Sequence, residues 1–435
     1  MIIAADYVLP VSSAPIEHGA LLIDDTRIVD VGSRDDIARL YPAVPINDLG
    51  AAAILPGFVN CHSHLELTSM RGSLDDVEHD FRSWLLKLND LRSSMAYADV
   101  HAAAINGALE GSRAGVTCFG DIGRIGTAGL EALKHVGLRG IVFQETDFSP
   151  DNRTAEDDFK NLATKYELMR EGETDLVRVG ISPHSPYTVS SQLFELIAQY
   201  AILNRIQLTI HAAESANEME LLTRGSGFFT EIYEQFDLEW NSPHCSPIEY
   251  LEKLGVLSAQ PLLAHCVHVE RDDIERIAAN GAKIAHCPKS NAKFGHGFAP
   301  LEKLLDADIK VGLGSDSVAS NNVCDILEES RFATLTARCR SPHEVRAPAA
   351  KRLFCATEAL ELATLGGARA LGLDSQIGSL EVGKQADIAV VSLADPSQQP
   401  INDIYAALVF SSNARDVRMT IVAGKVVFDR NVDDK

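Results

Sequence analysis

From residue 54 to residue 316 the chain alternates short apolar runs with helix-like ones, and this alternation constrains its fold more than any other feature. The apolar runs cover 54–59, 114–121, 140–145, 177–182, 207–211, 261–265, 282–286 and 309–316, with helix-like runs such as 126–135 and 190–203 between them. Strands separated by helices pair in parallel, because the crossover that returns the chain to the same end of a sheet needs a dozen or more residues. Eight such units close into a (β/α)8 TIM barrel, an α/β fold that carries its chemistry at the strand C-terminal ends. An open doubly wound sheet is the rival fold, but no glycine-rich phosphate turn follows any of these strands.

The two ends have a different texture. Residues 19–32 read as a hairpin turning at Asp24-Asp25-Thr26, and 386–391 and 419–428 read as strands. Neither end alone holds enough strand to cover a sheet face. Both are therefore expected to pair into one small composite β-sandwich domain, with 1–55 as its N-terminal part, 376–435 as its C-terminal part, and the barrel over 56–375 inserted between them. Two segments do not fit the repeat: 67–100 after the first strand and 219–257 after the fifth. Both leave strand C-terminal ends, so both can cover the mouth. The second carries Phe228, Phe229, Tyr233, Phe236 and Trp240, which either meet an apolar substrate or form the segment's own core. Residues 354–372 read as a helix ending at Gly372.

Composition narrows the partners. Lys+Arg 39 against Asp+Glu 61 leaves a net charge of -22 over 435 residues, which argues against nucleic acid or an anionic membrane, since both call for a basic face. No apolar run approaches the ~20 residues of a membrane span, and residues 1–9 read as a strand without the basic start of a signal peptide. The eight cysteines form no C-x-x-C pair and read as free thiols in a reducing cytoplasm. A small molecule is the expected partner; a homo-oligomer is left open.

Chemistry concentrates where the barrel begins. In Pro56-Gly57-Phe58-Val59-Asn60-Cys61-His62-Ser63-His64-Leu65-Glu66 two histidines stand one residue apart, and positions i and i+2 of a strand face one side. His211 closes another strand, three residues before Glu214. Asp316 closes the last, after Gly312 and Gly314. Any one of these is also what a hydrogen-bonded structural residue looks like. Three histidines and one carboxylate on one rim suit a single divalent metal ion, zinc or Fe2+, with water in an open position.

The motifs P-G-F-V-N-C-H-S-H, H-A-A-E, L-L-A-H-C, H-C-P-K-S-N and G-S-D-S, in this order, resemble the amidohydrolase superfamily. More narrowly they resemble its cytosine-deaminase and chlorohydrolase branch, near the methylthioadenosine/adenosylhomocysteine deaminases and aminodeoxyfutalosine deaminase. Residues 378–387 are similar to that family's entry into its composite β domain. The resemblance implies one metal on His62, His64, His211 and Asp316. Binuclear relatives bridge two metals with a carboxylated lysine at the fourth strand, whereas residues 181–187 here contain no lysine.

By the same resemblance Glu214 carries a proton, and His265 and Asp316 orient a metal-activated hydroxide and pass its proton to departing ammonia; an ion-paired surface role for Glu214 is the alternative. His184, Glu66 and Trp84 are candidate substrate contacts, while His286, Ser290 and Asn291 shape the pocket floor. His79, His244, His268 and His296 are read as loop histidines. The glutamate that holds ribose hydroxyls in the methylthioadenosine deaminases has no counterpart in residues 85–90, and H-S-H-L-E looks more like aminodeoxyfutalosine deaminase. The activity implied is hydrolytic deamination of an aminated purine nucleoside or related heterocycle. Its rivals are a chlorohydrolase, a guanine- or cytosine-type deaminase, and a non-catalytic binding barrel.

Overall fold

The computed structural model describes residues 1–340 and 353–433. β1 (Ile2–Val8), β2 (Ile16–Asp24), β3 (Arg27–Ser33), β4 (Ile46–Asp48) and β5 (Ala52–Pro56) open the chain. β1, β2 and β3 form an antiparallel meander turning at Asp25-Thr26, where Asp25 takes φ 48°, a left-handed conformation that aspartate tolerates better than most residues. Eight strands follow: β6 (Phe58–Ser63), β7 (Val116–Gly123), β8 (Arg139–Glu145), β9 (Val177–Ser182), β10 (Thr209–Ala212), β11 (Leu262–His265), β12 (Lys283–His286) and β13 (Val311–Leu313). β14 (Ile388–Ser392), β15 (Val417–Val422) and β16 (Lys425–Asp429) end the chain.

Both ends meet in one eight-stranded sheet, because β5 pairs parallel to β1 on one side and antiparallel to β14 on the other, Ile54 opposite Val390. The sheet folds back on itself. Ile28 N–H donates to Lys384 C=O at 2.9 Å, and Gly383 N–H returns a bond to Ile28 C=O at 2.8 Å. Ile3, Leu21, Ile23, Ile54, Ile388 and Ile421 are buried together on its inner face.

The apolar run 54–59 serves two sheets rather than one. It divides at Gly57, where a Cβ would lie 2.1 Å from Thr117 side-chain atoms. Only a residue without a side chain lets the chain pass from β5 into β6 at that approach.

β6 to β9 and β10 to β13 pair in parallel. Bridges Ile181–Leu208 and Ser63–Asp316 join the two sets into a closed barrel. Val59, Cys61, Ile141, Phe143, Leu262 and Ala285 form one buried cluster with Ala368, Ala370 and Leu371. Their strand neighbours Phe58, Val142, Leu263 and Ile284 face the other way, packing with helix residues such as Leu130, Leu133 and Ile197. This is the period-2 division expected of strands that fill a barrel and receive helices outside. Residues 354–372 form helix Ala356–Glu361, a wider π turn over Leu362–Gly366 and helix Gly367–Leu371, ended by Gly372 at φ 69°.

The segment after β6 folds as a 3-10 turn, Leu65–Met70, and helix Phe81–Ser93, before the barrel's own helix Tyr97–Arg113. The segment after β10 folds as helices Ala216–Arg224, Phe228–Gln235 and Pro247–Lys253. Ser215 and Ser246 start two of these by accepting backbone N–H bonds three residues on. Among the described residues, no helix is long and apolar enough to cross a membrane.

Candidate active site

Three strand ends, those of β6, β10 and β13, bring His62, His64, His211 and Asp316 together. His62 Nε2 lies 3.3 Å and His64 Nε2 3.6 Å from Asp316 Oδ1, and the Nε2 atoms of His64 and His211 are 3.3 Å apart. Gly314 allows this: a Cβ there would sit 2.7 Å from His62 Cβ. Asp316 itself adopts φ 57°, and His265 φ 72°. Strained backbone of this kind persists where the surroundings over-determine it, typically at functional sites.

The surroundings aim each donor inward. His211 Nδ1 donates to His184 C=O at 3.0 Å, which leaves Nε2 with its lone pair. Ser290 and Ser320 hydroxyls donate to Asp316 Oδ2 at 2.6 and 2.8 Å, which leaves Oδ1 for the cluster. His62 Nδ1 and Nε2 are buried without a hydrogen-bond partner. Burial lowers the His62 and His64 pKa values, His64 to about 4, so both stand as neutral imidazoles. Neutral imidazoles and an ionised carboxylate, oriented by outer hydrogen bonds and short of partners of their own, are the donor set a divalent metal ion takes. Two overlapping triads have the geometry: His62, His64 and His211, and His62, His265 and Asp316.

Beside the cluster lies Glu214, buried, with Oε1 3.7 Å from His265 Nε2. Burial raises its carboxyl to about 7, His211 pulling it down and Asp316 pushing it up. Its backbone N–H and that of Ala213 both donate to Glu218, at 2.9 and 3.0 Å, which pins the turn after β10. His265 Nδ1 donates to Asn291 Oδ1 at 2.9 Å, turning the lone pair of Nε2 toward Glu214.

A cavity opens onto these groups. His64, His211, Glu214, His265 and Asp316 line one part, and Leu67, Phe81, Trp84, Leu85, Leu88 and Phe294 an apolar wall. Arg92, Glu145, His184 and Tyr187 complete it. Trp84 and His184 therefore border the cavity. Glu66 does not: it lies behind the wall, ion-paired with Arg92 and accepting from Arg124 and Ile125 N–H groups. Ser290 and Asn291 reach the site through Asp316 and His265, and His286 is buried with neither ring nitrogen hydrogen-bonded.

The structure also brings in residues that pattern reading passed over. His296 does lie on a loop, but its ring turns inward and brings Nε2 to 3.7 Å from Glu214 Oε1. Arg92 and Glu145 border the cavity. Glu145 carried the same signal as Asp316, a carboxylate closing a barrel strand. Arg92 and His296 carried none, since only tertiary packing turns them inward.

The comparisons with known proteins agree with this geometry. The Imidazolonepropionase-like composite domain of bacteria matches residues 19–43. The chain is 32% identical to a 5-methylthioadenosine/S-adenosylhomocysteine deaminase of Moorella thermoacetica, covering 97% of this chain and 92% of that one. It is also 32% identical to a 5'-deoxyadenosine deaminase of Methanobrevibacter smithii, covering 94% and 88%. The crystal structure of an adenosine deaminase from Xanthomonas campestris with bound zinc superposes with a TM-score of 0.82 at 27% identity, covering 98% of this chain and 92% of that one. The Amidohydrolase family matches residues 53–427, from the last strand of the N-terminal part to the last strand of the sheet; with barrel, composite sheet and metal-type cluster in place, the chain belongs to that family.

Proposed function

We propose that the protein hydrolytically deaminates an aminopurine nucleoside or a closely related heterocycle. The observation that carries this reading is Glu214, a buried carboxyl poised near neutrality, facing His265 at the edge of the His62, His64, His211 and Asp316 cluster. An aromatic carbon bearing an amino group is a poor electrophile, so attack on it requires activated water and a proton delivered to the ring. A divalent ion held by His62, His64, His211 and Asp316 would supply a Lewis acid able to lower the pKa of water from ~15.7 to ~7. Zinc is the ion we assign, in line with the zinc-bound relative; Fe2+ suits the same donors.

The remaining work falls to the chain. Glu214, its carboxyl raised by burial and facing His265, is placed to give a proton to a ring nitrogen and recover it afterwards. His265, fixed by Asn291, presents Nε2 as the acceptor that orients attacking water and moves a proton toward the leaving nitrogen. Trp84 and Phe294, edge to face at 4.8 Å, offer the flat ring an apolar wall. The relatives named as deaminases of methylthioadenosine, adenosylhomocysteine and deoxyadenosine support the substrate class. Buried cysteines without disulfides, Cys61, Cys118 and Cys287 among them, support a cytoplasmic setting.

The test is ammonia release from purified protein on a panel of adenine nucleosides, guanine, cytosine and chlorotriazines. Turnover of adenine nucleosides is the expected result. Chloride release from triazines without ammonia from any nucleoside overturns the reading in favour of a chlorohydrolase.

A further inference from the structure

Next to His184 the cavity wall changes character. Glu145, the last residue of β8, is buried, and its two carboxylate oxygens are treated differently. Oε2 accepts from Arg92 Nη2 at 3.0 Å and lies 3.5 Å from Arg124 Nε. Oε1 is buried with no hydrogen-bond partner, facing His184 Nε2 at 3.8 Å, too far for a bond. His184 cannot easily turn to it, because its Nδ1 is engaged by Ser185 and Thr188 hydroxyls at 2.8 and 3.0 Å. Arg92 mirrors this only in part. Its Nη2 serves Glu66 and Glu145, while its Nε and Nη1, which make no hydrogen bond among the described residues, are not closed off from solvent as Glu145 Oε1 is. Burial raises the Glu145 carboxyl, but Arg92, His184 and Arg124 outweigh it and hold it well below the ordinary range. The free oxygen is therefore an ionised acceptor, and a buried ionised acceptor without a donor is costly.

Both residues border the same cavity, so a group bound there lies against the pair, although Oε1 itself is covered until its neighbours shift. The charges say which chemistry fits. Glu66 and Glu145 offset Arg92 and Arg124, so a carboxylate or phosphate entering here meets as much repulsion as attraction. A cationic group meets Arg92. A hydroxyl suits both sides, donating to Glu145 Oε1 and accepting from Arg92 N–H.

We infer that Glu145 Oε1, held in place by Arg92, is a specificity-determining contact that accepts a hydrogen bond from a neutral hydroxyl on the substrate, beside the heterocycle that is deaminated. Arg92 acts through Glu145 as a positioning residue. The inference rests on the nucleoside reading above and sharpens it: the preferred substrates carry an uncharged, hydroxylated portion at this wall rather than an anionic one. A purely structural Arg92–Glu145 pair, tying helix Phe81–Ser93 to the barrel, predicts no such preference.

The wild-type enzyme is tested first, on adenosine and its 2'-deoxy, 3'-deoxy and 5'-deoxy analogues. A site built to bind a hydroxyl rejects the analogue lacking it, so one of the three should lose about 10²-fold or more in kcat/KM. The same series is then run on Glu145→Gln, which keeps the shape and removes the charge, with metal content and melting temperature recorded. The selective loss should shrink to about tenfold or less, and Glu145→Asp should recover part of it. Equal turnover of all four compounds by the wild type overturns the inference while leaving the deaminase reading intact. So does a Glu145→Gln variant that slows all four by one common factor. If Glu145→Gln does not fold, Glu145→Asp takes its place, and a wild-type selectivity that it leaves unchanged overturns the inference. Inactivity of the wild type on every aminopurine nucleoside overturns the nucleoside reading, and this assignment falls with it.

Discussion

The two long insertions leave the barrel at matching places, after β6 and after β10, yet they are used differently. The first turns side chains into the cavity: Phe81, Trp84, Leu85, Leu88 and Arg92 all border it. The second packs on itself. Phe228, Phe229 and Tyr233 are buried with Leu221, Leu222, Cys245 and Tyr250, and Phe229 stacks on Tyr187 at 4.2 Å, so that Tyr187, not Phe229, borders the cavity. Of the two uses open to these aromatics, packing is what the structure holds for Phe228, Phe229, Tyr233 and Trp240, in a core shared with Tyr187 and edged by Phe81 and Leu85 of the first insertion, while Phe236 stays exposed. Position on the rim thus does not assign a role. What matters is whether an insertion finds its own core or must finish the cavity's.

The strongest perturbation removes the divalent ion proposed for the His62, His64, His211 and Asp316 cluster. Chelation should abolish turnover, by about 10³-fold or more, since neutral water is a weak nucleophile. The thermal midpoint should fall because a ligand of the native state is lost. Activity should return at about one zinc per chain, counted by elemental analysis. Restoration that needs two equivalents would contradict the single four-donor cluster.

Next comes Glu214, at the root of the second insertion. Glu214→Gln preserves volume but cannot cycle a proton, so kcat should drop by about 10²-fold with metal content unchanged. Normal turnover would leave the second insertion without any chemical part.

Smaller effects separate the insertions from each other. Trp84→Ala should lower kcat/KM by about tenfold, and unequally across nucleosides of different size, if the cavity wall it opens is the one proposed to meet the substrate. Phe229→Ala should cost about 3–5 kcal/mol of stability by leaving a cavity in the second insertion's core, read as a lower melting temperature. Its kcat/KM should change little and by one factor for all substrates. Reversed outcomes, selectivity lost at Phe229 and stability at Trp84, would exchange the roles given to the two segments.

Much of this was legible from the chain alone. Alternating strand and helix runs implied eight parallel strands, since local periodicity and crossover length suffice to specify them. The two β-rich ends implied a shared sheet, because neither could cover itself. His62, His64, His211 and Asp316 were readable as a set because each stands at a strand end, where the barrel fixes direction in advance. Glu145 stood at such an end too and went unread, for a lone carboxylate says nothing until its neighbours are known. Tertiary structure decided what no spacing encodes. It split residues 54–59 between two sheets at Gly57, where Thr117 approaches. It placed Glu66 behind the wall by pairing it with Arg92, and it carried His296 to Glu214 across a loop. Those outcomes depend on contacts between segments remote in sequence, and such contacts exist only once the barrel has closed.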